Sequence, residues 1–111
     1  PFINMTLHHK DSIYDMGSIN SCDNGSIKLS IISNPEFGMI KTIKLIKGIV
    51  GSQKEVDYFT IINTGKYELI KLIEINCVNK CYFRCEVELE SKIEMKRLAL
   101  SNPIWLSPII N

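Results

Sequence analysis

Alanine occurs once in this chain, at Ala99, whereas isoleucine recurs throughout. A sequence so poor in the best helix former and so rich in a β-branched residue disfavours helices and favours strands. No apolar run approaches the roughly 20 residues needed to span a bilayer. The nearest, residues 40–50, is interrupted by Lys41, Lys44 and Lys47. Residues 1–11 lack both a basic region and a long apolar region, so they do not read as a signal peptide. Charge of one sign is also missing: 13 Lys and Arg oppose 12 Asp and Glu, a formal +1. Basic residues are interleaved with carboxylates, as in Lys66-Tyr67-Glu68 and Glu94-Met95-Lys96. A nucleic-acid reader gathers them on one stripe. The expectation is a soluble, cytoplasmic chain with no nucleic-acid and no membrane partner. The start at Pro1 suggests a chain trimmed or processed from a longer one.

Catalytic signatures are absent as well. There is no Gly-x-Ser-x-Gly elbow, and Gly48-Ile49-Val50-Gly51-Ser52 lacks the Gly-Lys-Ser/Thr of a phosphate loop, so it reads as a turn. His8-His9, with Asp11 nearby, would face opposite sides of a strand and make a poor bidentate metal site, so they read as an exposed strand end. Cys77, Cys81 and Cys85 are spaced C-x3-C-x3-C, not in the C-x2-C pairs of a zinc knuckle. On a strand Cys81 and Cys85 share one face but lie about 13 Å apart, too far to pair or to share an ion. Buried free thiols are expected, with a Cys22–Cys77 disulfide left open. Glu86, Glu88 and Glu90, on one face of one strand, read as a solvated face, with a cation-coordinating stripe as the alternative. Tyr82 with Arg84 is the best candidate for a sugar-stacking patch, although Arg84 can equally pair with a neighbouring glutamate. No catalytic residue, no cofactor-binding residue, no metal ligand and no cofactor is assigned.

What is present is strand periodicity. Over residues 80–90, Cys81, Phe83, Cys85, Val87 and Leu89 alternate with Tyr82, Arg84, Glu86, Glu88 and Glu90, one face buried and one wet. Further strands are predicted at 2–8, 26–32, 40–47, 54–62 and 67–75. A last one, 97–100 with 104–106, is interrupted by Asn102-Pro103, and Pro103 belongs at an edge or bulge. Turns are predicted at Cys22-Asp23-Asn24-Gly25, Asn34-Pro35-Glu36-Phe37-Gly38, residues 48–51, Asn63-Thr64-Gly65 and residues 76–79. Leu69, Leu72 and Ile73 also fit helical spacing. The β-branched Ile70, Ile73 and Ile75 and the lack of a capping signal favour the strand. About seven short strands at even spacing predict an all-β, immunoglobulin-like antiparallel β-sandwich over residues 1–111.

Several stretches together carry a resemblance. Pro1-Phe2-Ile3-Asn4-Met5 opens a strand and Met16-Gly17 follows a short hairpin; Ile43-Lys44-Leu45-Ile46-Lys47-Gly48 runs into a turn. Tyr82-Phe83-Arg84-Cys85-Glu86-Val87 comes later, and Ala99-Leu100-Ser101-Asn102-Pro103-Ile104-Trp105-Leu106 closes the series. This order resembles the β-sandwich at the C-terminus of certain PHP-type (polymerase-and-histidinol-phosphatase-like) metal-dependent phosphoesterases. The resemblance covers Pro1 to about Leu106, and Ser101-Asn102-Pro103-Ile104-Trp105 is its most specific part. It implies a non-catalytic accessory domain that supports the stability, assembly or substrate recognition of its parent. The partner is then the catalytic domain in cis, with homo-oligomer formation left open. The family's metal ligands belong to the preceding α/β domain, and His8-His9 does not match them. The alternative is a free-standing binding module for carbohydrate or protein.

Overall fold

The computed structural model describes residues 2–91 and 97–109, so Glu94-Met95-Lys96 lies outside the described residues. Ten strands run through them: β1 (Phe2–His9), β2 (Ser12–Asp15), β3 (Ile19–Ser21), β4 (Asn24–Ile32), β5 (Ile40–Ile49), β6 (Glu55–Lys66), β7 (Glu68–Asn76), β8 (Cys81–Leu89), β9 (Arg97–Leu100) and β10 (Ile104–Ser107). They form one sheet in the order β2-β1-β4-β7 and a second in the order β3-β10-β8-β5-β6, with β9 also on β8. One hydrophobic cluster draws on both sheets, so the architecture is the expected β-sandwich. Among the described residues no helix is long and apolar enough to cross a membrane.

Alternation builds the core. Met5 and Leu7 of β1 with Ile27, Leu29 and Ile31 of β4 face Ile43 and Leu45 of β5 and Phe83, Cys85 and Val87 of β8, all essentially inaccessible. Strand β8 is buried at every second residue from Cys81 to Leu89, which realises the clearest sequence signal. Residues 68–76 are the strand β7, not the rival helix; Ile73 and Ile75 point inward while Ile70 and Leu72 stay exposed. Tyr58 ties the layers together, setting its ring edge-on to Phe83 at 5.3 Å and donating its hydroxyl proton to the Glu74 carbonyl across the sandwich at 3.1 Å.

Several local expectations need correction. Strand β2 is the second arm of the short hairpin expected before Met16-Gly17; β3 went unpredicted, and it runs parallel to β10, in a sheet expected to be wholly antiparallel. Gly48 is no turn residue: it sits inside β5, and the chain reverses at Gly51, where φ is +89°. Asn24 and Gly25 likewise belong to β4, paired with Asn76 and Ile75 of β7, and the glycine fits there because a Cβ would overlap the His8 carbonyl of the neighbouring strand. Asn63-Thr64-Gly65 does not end its strand. With positive φ at Asn63 and Gly65 it forms an irregularity within β6, pinned by a hydrogen bond from the Thr64 hydroxyl to the Ile40 carbonyl.

The predicted final strand is two strands lying end to end on β8. Ser101 bridges the gap: its amide donates to the Cys85 carbonyl at 3.0 Å and its hydroxyl accepts the Cys85 amide at 2.8 Å. Pro103 sits in this break, as its missing N–H requires, and its carbonyl accepts the Gly17 amide at 2.7 Å.

Candidate functional site

The outer face of the larger sheet collects the polar and aromatic residues singled out from the sequence. Cross-strand register places Ile19 beside Trp105, Trp105 beside Tyr82, Tyr82 beside Gly48 and Gly48 beside Glu55, a single row over five strands. The glycine sets the geometry. A Cβ on Gly48 would overlap the Tyr82 ring, so the ring lies flat over the bare backbone and its hydroxyl reaches Glu55 at 2.5 Å. On its other side Tyr82 packs against Trp105, with centroids 5.0 Å apart and planes tilted by 51°.

Arg84 completes the group. Its Nε and Nη2 donate to the two oxygens of Glu55, each at 2.8 Å, and its Nη1 donates to Glu86 at 2.7 Å. The expected pairing with a neighbouring glutamate is therefore present in Glu86. The stronger, two-pronged pairing is with Glu55, 29 residues away. Beneath this span Ile46, between Arg84 and Asp57 in the register, is only 5% exposed although it faces outward.

Arg84 and Tyr82 hydrogen-bond to Glu55 and hold its carboxyl down at about 2, against an ordinary 4.5. The bond to Glu55 in turn pushes the Tyr82 phenol upward, and the two carboxylates push Arg84 further up. Because the Glu55 carboxyl is lower in the folded chain than in the unfolded one, the network stabilises fully above pH 4.5. That contribution fades as pH falls towards 2. The groups are partly wet, so the contribution is about 1 kcal/mol. Melting the wild type and Glu55→Gln across this range should show a gap that is largest at neutral pH and closes in acid. A gap independent of pH would remove the network from the stability of the fold.

Chemically the arrangement is a closed brace. Each of the three guanidinium nitrogens donates one hydrogen bond within the protein and the phenol proton is committed to Glu55, so most of the polar groups here already serve one another. Trp105, 38% exposed, and Ile19, 80% exposed, remain open at its edge.

The other sequence candidates do not converge on this face. His8 Nε2 is hydrogen-bonded with the Thr6 hydroxyl at 3.0 Å, and His9 donates from Nδ1 to the Asn24 carbonyl at 2.7 Å. Glu88 pairs with Lys41 at 3.5 Å. Glu90 lies beyond the end of β8, so the carboxylate stripe is shorter than expected. Among the described residues no group of three or more His, Cys, Asp or Glu side chains could hold a metal ion. Sequence reasoning missed Glu55 and misplaced Gly48; a glycine opposite an aromatic residue within a strand was the available signal. No protein-family model, no curated protein and no solved structure matches this chain.

Proposed function

We propose that this chain is a non-catalytic accessory domain that docks on a partner domain in cis through the outer face of its smaller sheet. The observation that carries this reading is an apolar patch on that face. Phe2 and Ile32 are directly paired there, and Ile70 and Leu72 follow on the adjacent strand, 58%, 47%, 70% and 60% exposed. Patches of this kind on a sheet face commonly mark a surface that another protein surface covers. A shallow hollow of about 330 Å³ between β4 and β7 deepens it beside Ile32 and Ile70. Any segment preceding Phe2 would leave the sandwich at this patch. The crossings between sheets from β4 to β5, β6 to β7 and β7 to β8 support the immunoglobulin-like version of the fold.

The parent, on the resemblance of the strand and Ser101-Asn102-Pro103-Ile104-Trp105 segments, is a PHP-type metal-dependent phosphoesterase that works in the cytoplasm. In this reading the metal chemistry belongs to the preceding domain, and the sandwich contributes stability and positioning. A free carbohydrate-binding module is less well supported, since the Tyr82 hydroxyl and three of the five Arg84 N–H donors are engaged by Glu55 and Glu86.

The intact mass of the native gene product tests this. A species far heavier than 12.7 kDa, with a metal-ligand-rich segment before Pro1, is expected. In that longer protein Ile70→Asp should expose the interdomain junction to protease without lowering the melting temperature of the sandwich itself. A product close to 12.7 kDa overturns the reading.

A further inference from the structure

Three of the four cysteines gather at one end of the sandwich. Cys22 lies between β3 and β4, Cys77 directly follows β7, and Cys81 opens β8; their exposures are 0%, 5% and 0%. The Cys81 thiol donates to the Cys77 sulfur at 3.8 Å, and the Cys77 thiol donates to the Asn79 carbonyl at 3.1 Å. Cys22 turns its thiol to the Asn24 carbonyl at 2.8 Å. Two sulfurs are thus in van der Waals contact, and the third is tied to its own turn.

The chain between the touching pair is short and outside the strands. Val78, Asn79 and Lys80 are exposed bends, with Val78 76% accessible. Cys77 leaves the smaller sheet and Cys81 enters the larger one, so a bond between them would join the two layers at their corner. Disulfide formation needs the sulfurs to close to about 2.05 Å. Side-chain rotation with a small adjustment of residues 78–80 supplies that movement; the Lys80 carbonyl is anchored by the Val50 amide at 2.9 Å, so Val78 and Asn79 carry most of it. Holding both thiols in contact replaces a bimolecular encounter with an intramolecular one.

We infer that Cys77 and Cys81 form a dithiol that small disulfides of the glutathione-disulfide class oxidise to an intramolecular disulfide. In the first step the Cys77 thiolate attacks one sulfur of the reagent, whose S–S bond breaks and releases one glutathione thiolate. In the second, the Cys81 thiolate attacks the Cys77 sulfur of the mixed disulfide and expels the other glutathione. The protein loses two electrons and two protons; the reagent takes up both and leaves as two thiols. Burial holds Cys81 at about 12 and raises Cys22. Exchange therefore waits on opening of residues 78–80 and takes minutes to hours. Cys85, buried in the middle of β8 and held at about 12 by desolvation, stays a thiol.

Peptide mapping of the wild-type chain after incubation with glutathione disulfide decides the matter. Trypsin cuts after Lys71, Lys80 and Arg84, which separates residues 72–80 from residues 81–84. The expected result is a loss of about 2 Da with those two peptides joined, and a melting temperature that rises on oxidation and returns on reduction. Four alkylatable thiols after overnight incubation, a lasting glutathione adduct on Cys77, or a link through Cys22 would each overturn the inference.

Discussion

Replacing Phe83 with alanine should cost about 3–5 kcal/mol, a large part of the 5–15 kcal/mol that holds a domain of this kind together. Phe83 is the largest fully buried side chain, set in the middle of β8. Its ring receives the edge of Tyr58 at 87°, and the Lys47 ammonium lies 5.7 Å from its centroid. Ile27, Ile31, Ile43 and Ile104 of the same core are β-branched and stiff at χ1, so they cannot swing in to fill the void. Urea denaturation is the direct measurement: the midpoint should fall sharply with the slope unchanged. A loss below about 1 kcal/mol would show that the core repacks freely around the missing ring and is not rigidly packed.

Gly38→Ala should cost about 2–4 kcal/mol, part from the positive φ and part from the overlap of the new Cβ with neighbouring backbone. Asn34 organises the turn by accepting the Phe37 amide on its side chain and the Gly38 amide on its carbonyl. Gly38 then adopts φ +110°, and a Cβ there would run into the Glu90 carbonyl. That carbonyl cannot yield, since the Glu90 amide is bonded to the Met39 carbonyl at 2.8 Å. Gly51 is the internal control. Its φ is +89° but nothing lies within 4 Å of its missing Cβ, so Gly51→Ala should cost only about 1 kcal/mol of strain. Equal costs at the two sites, read from the same melting curves, would assign the effect to φ and remove the overlap from the account.

The long strands were legible because period two survives in β8, β4 and β7, where one face meets the core and the other meets water. Strand β6 was shortened by sequence reading because its pattern breaks twice. Its pairing with β5 shifts register beside Leu45 and Ile46, and again where residues 63–65 are inserted. A reading that expects strict alternation stops at the first glycine-containing irregularity. Strands β2 and β3, of 4 and 3 residues, are too short to show a period at all. They exist because β1 and β10 offer them edges. The candidate site was half visible: Tyr82, Arg84 and Glu86 share one strand face, so their proximity follows from alternation. Glu55 lies two strands away and enters only through sheet order, which no local pattern encodes.

The irregular course of β6 also bears on how the chain avoids its own kind. Tyr58-Phe59-Thr60-Ile61-Ile62 is uncharged, proline-free and rich in strand-forming residues, the composition of a fibre-forming segment. It occupies an edge of the larger sheet, where unpaired backbone groups could template another molecule. The register shifts at Tyr58 and after Ile62 keep that edge from being straight, and Asp57 and Lys66 place charge near both ends. A bulge that looks like a defect in pairing with β5 thus serves as a guard against colloidal loss, one that operates only while the edge stays folded.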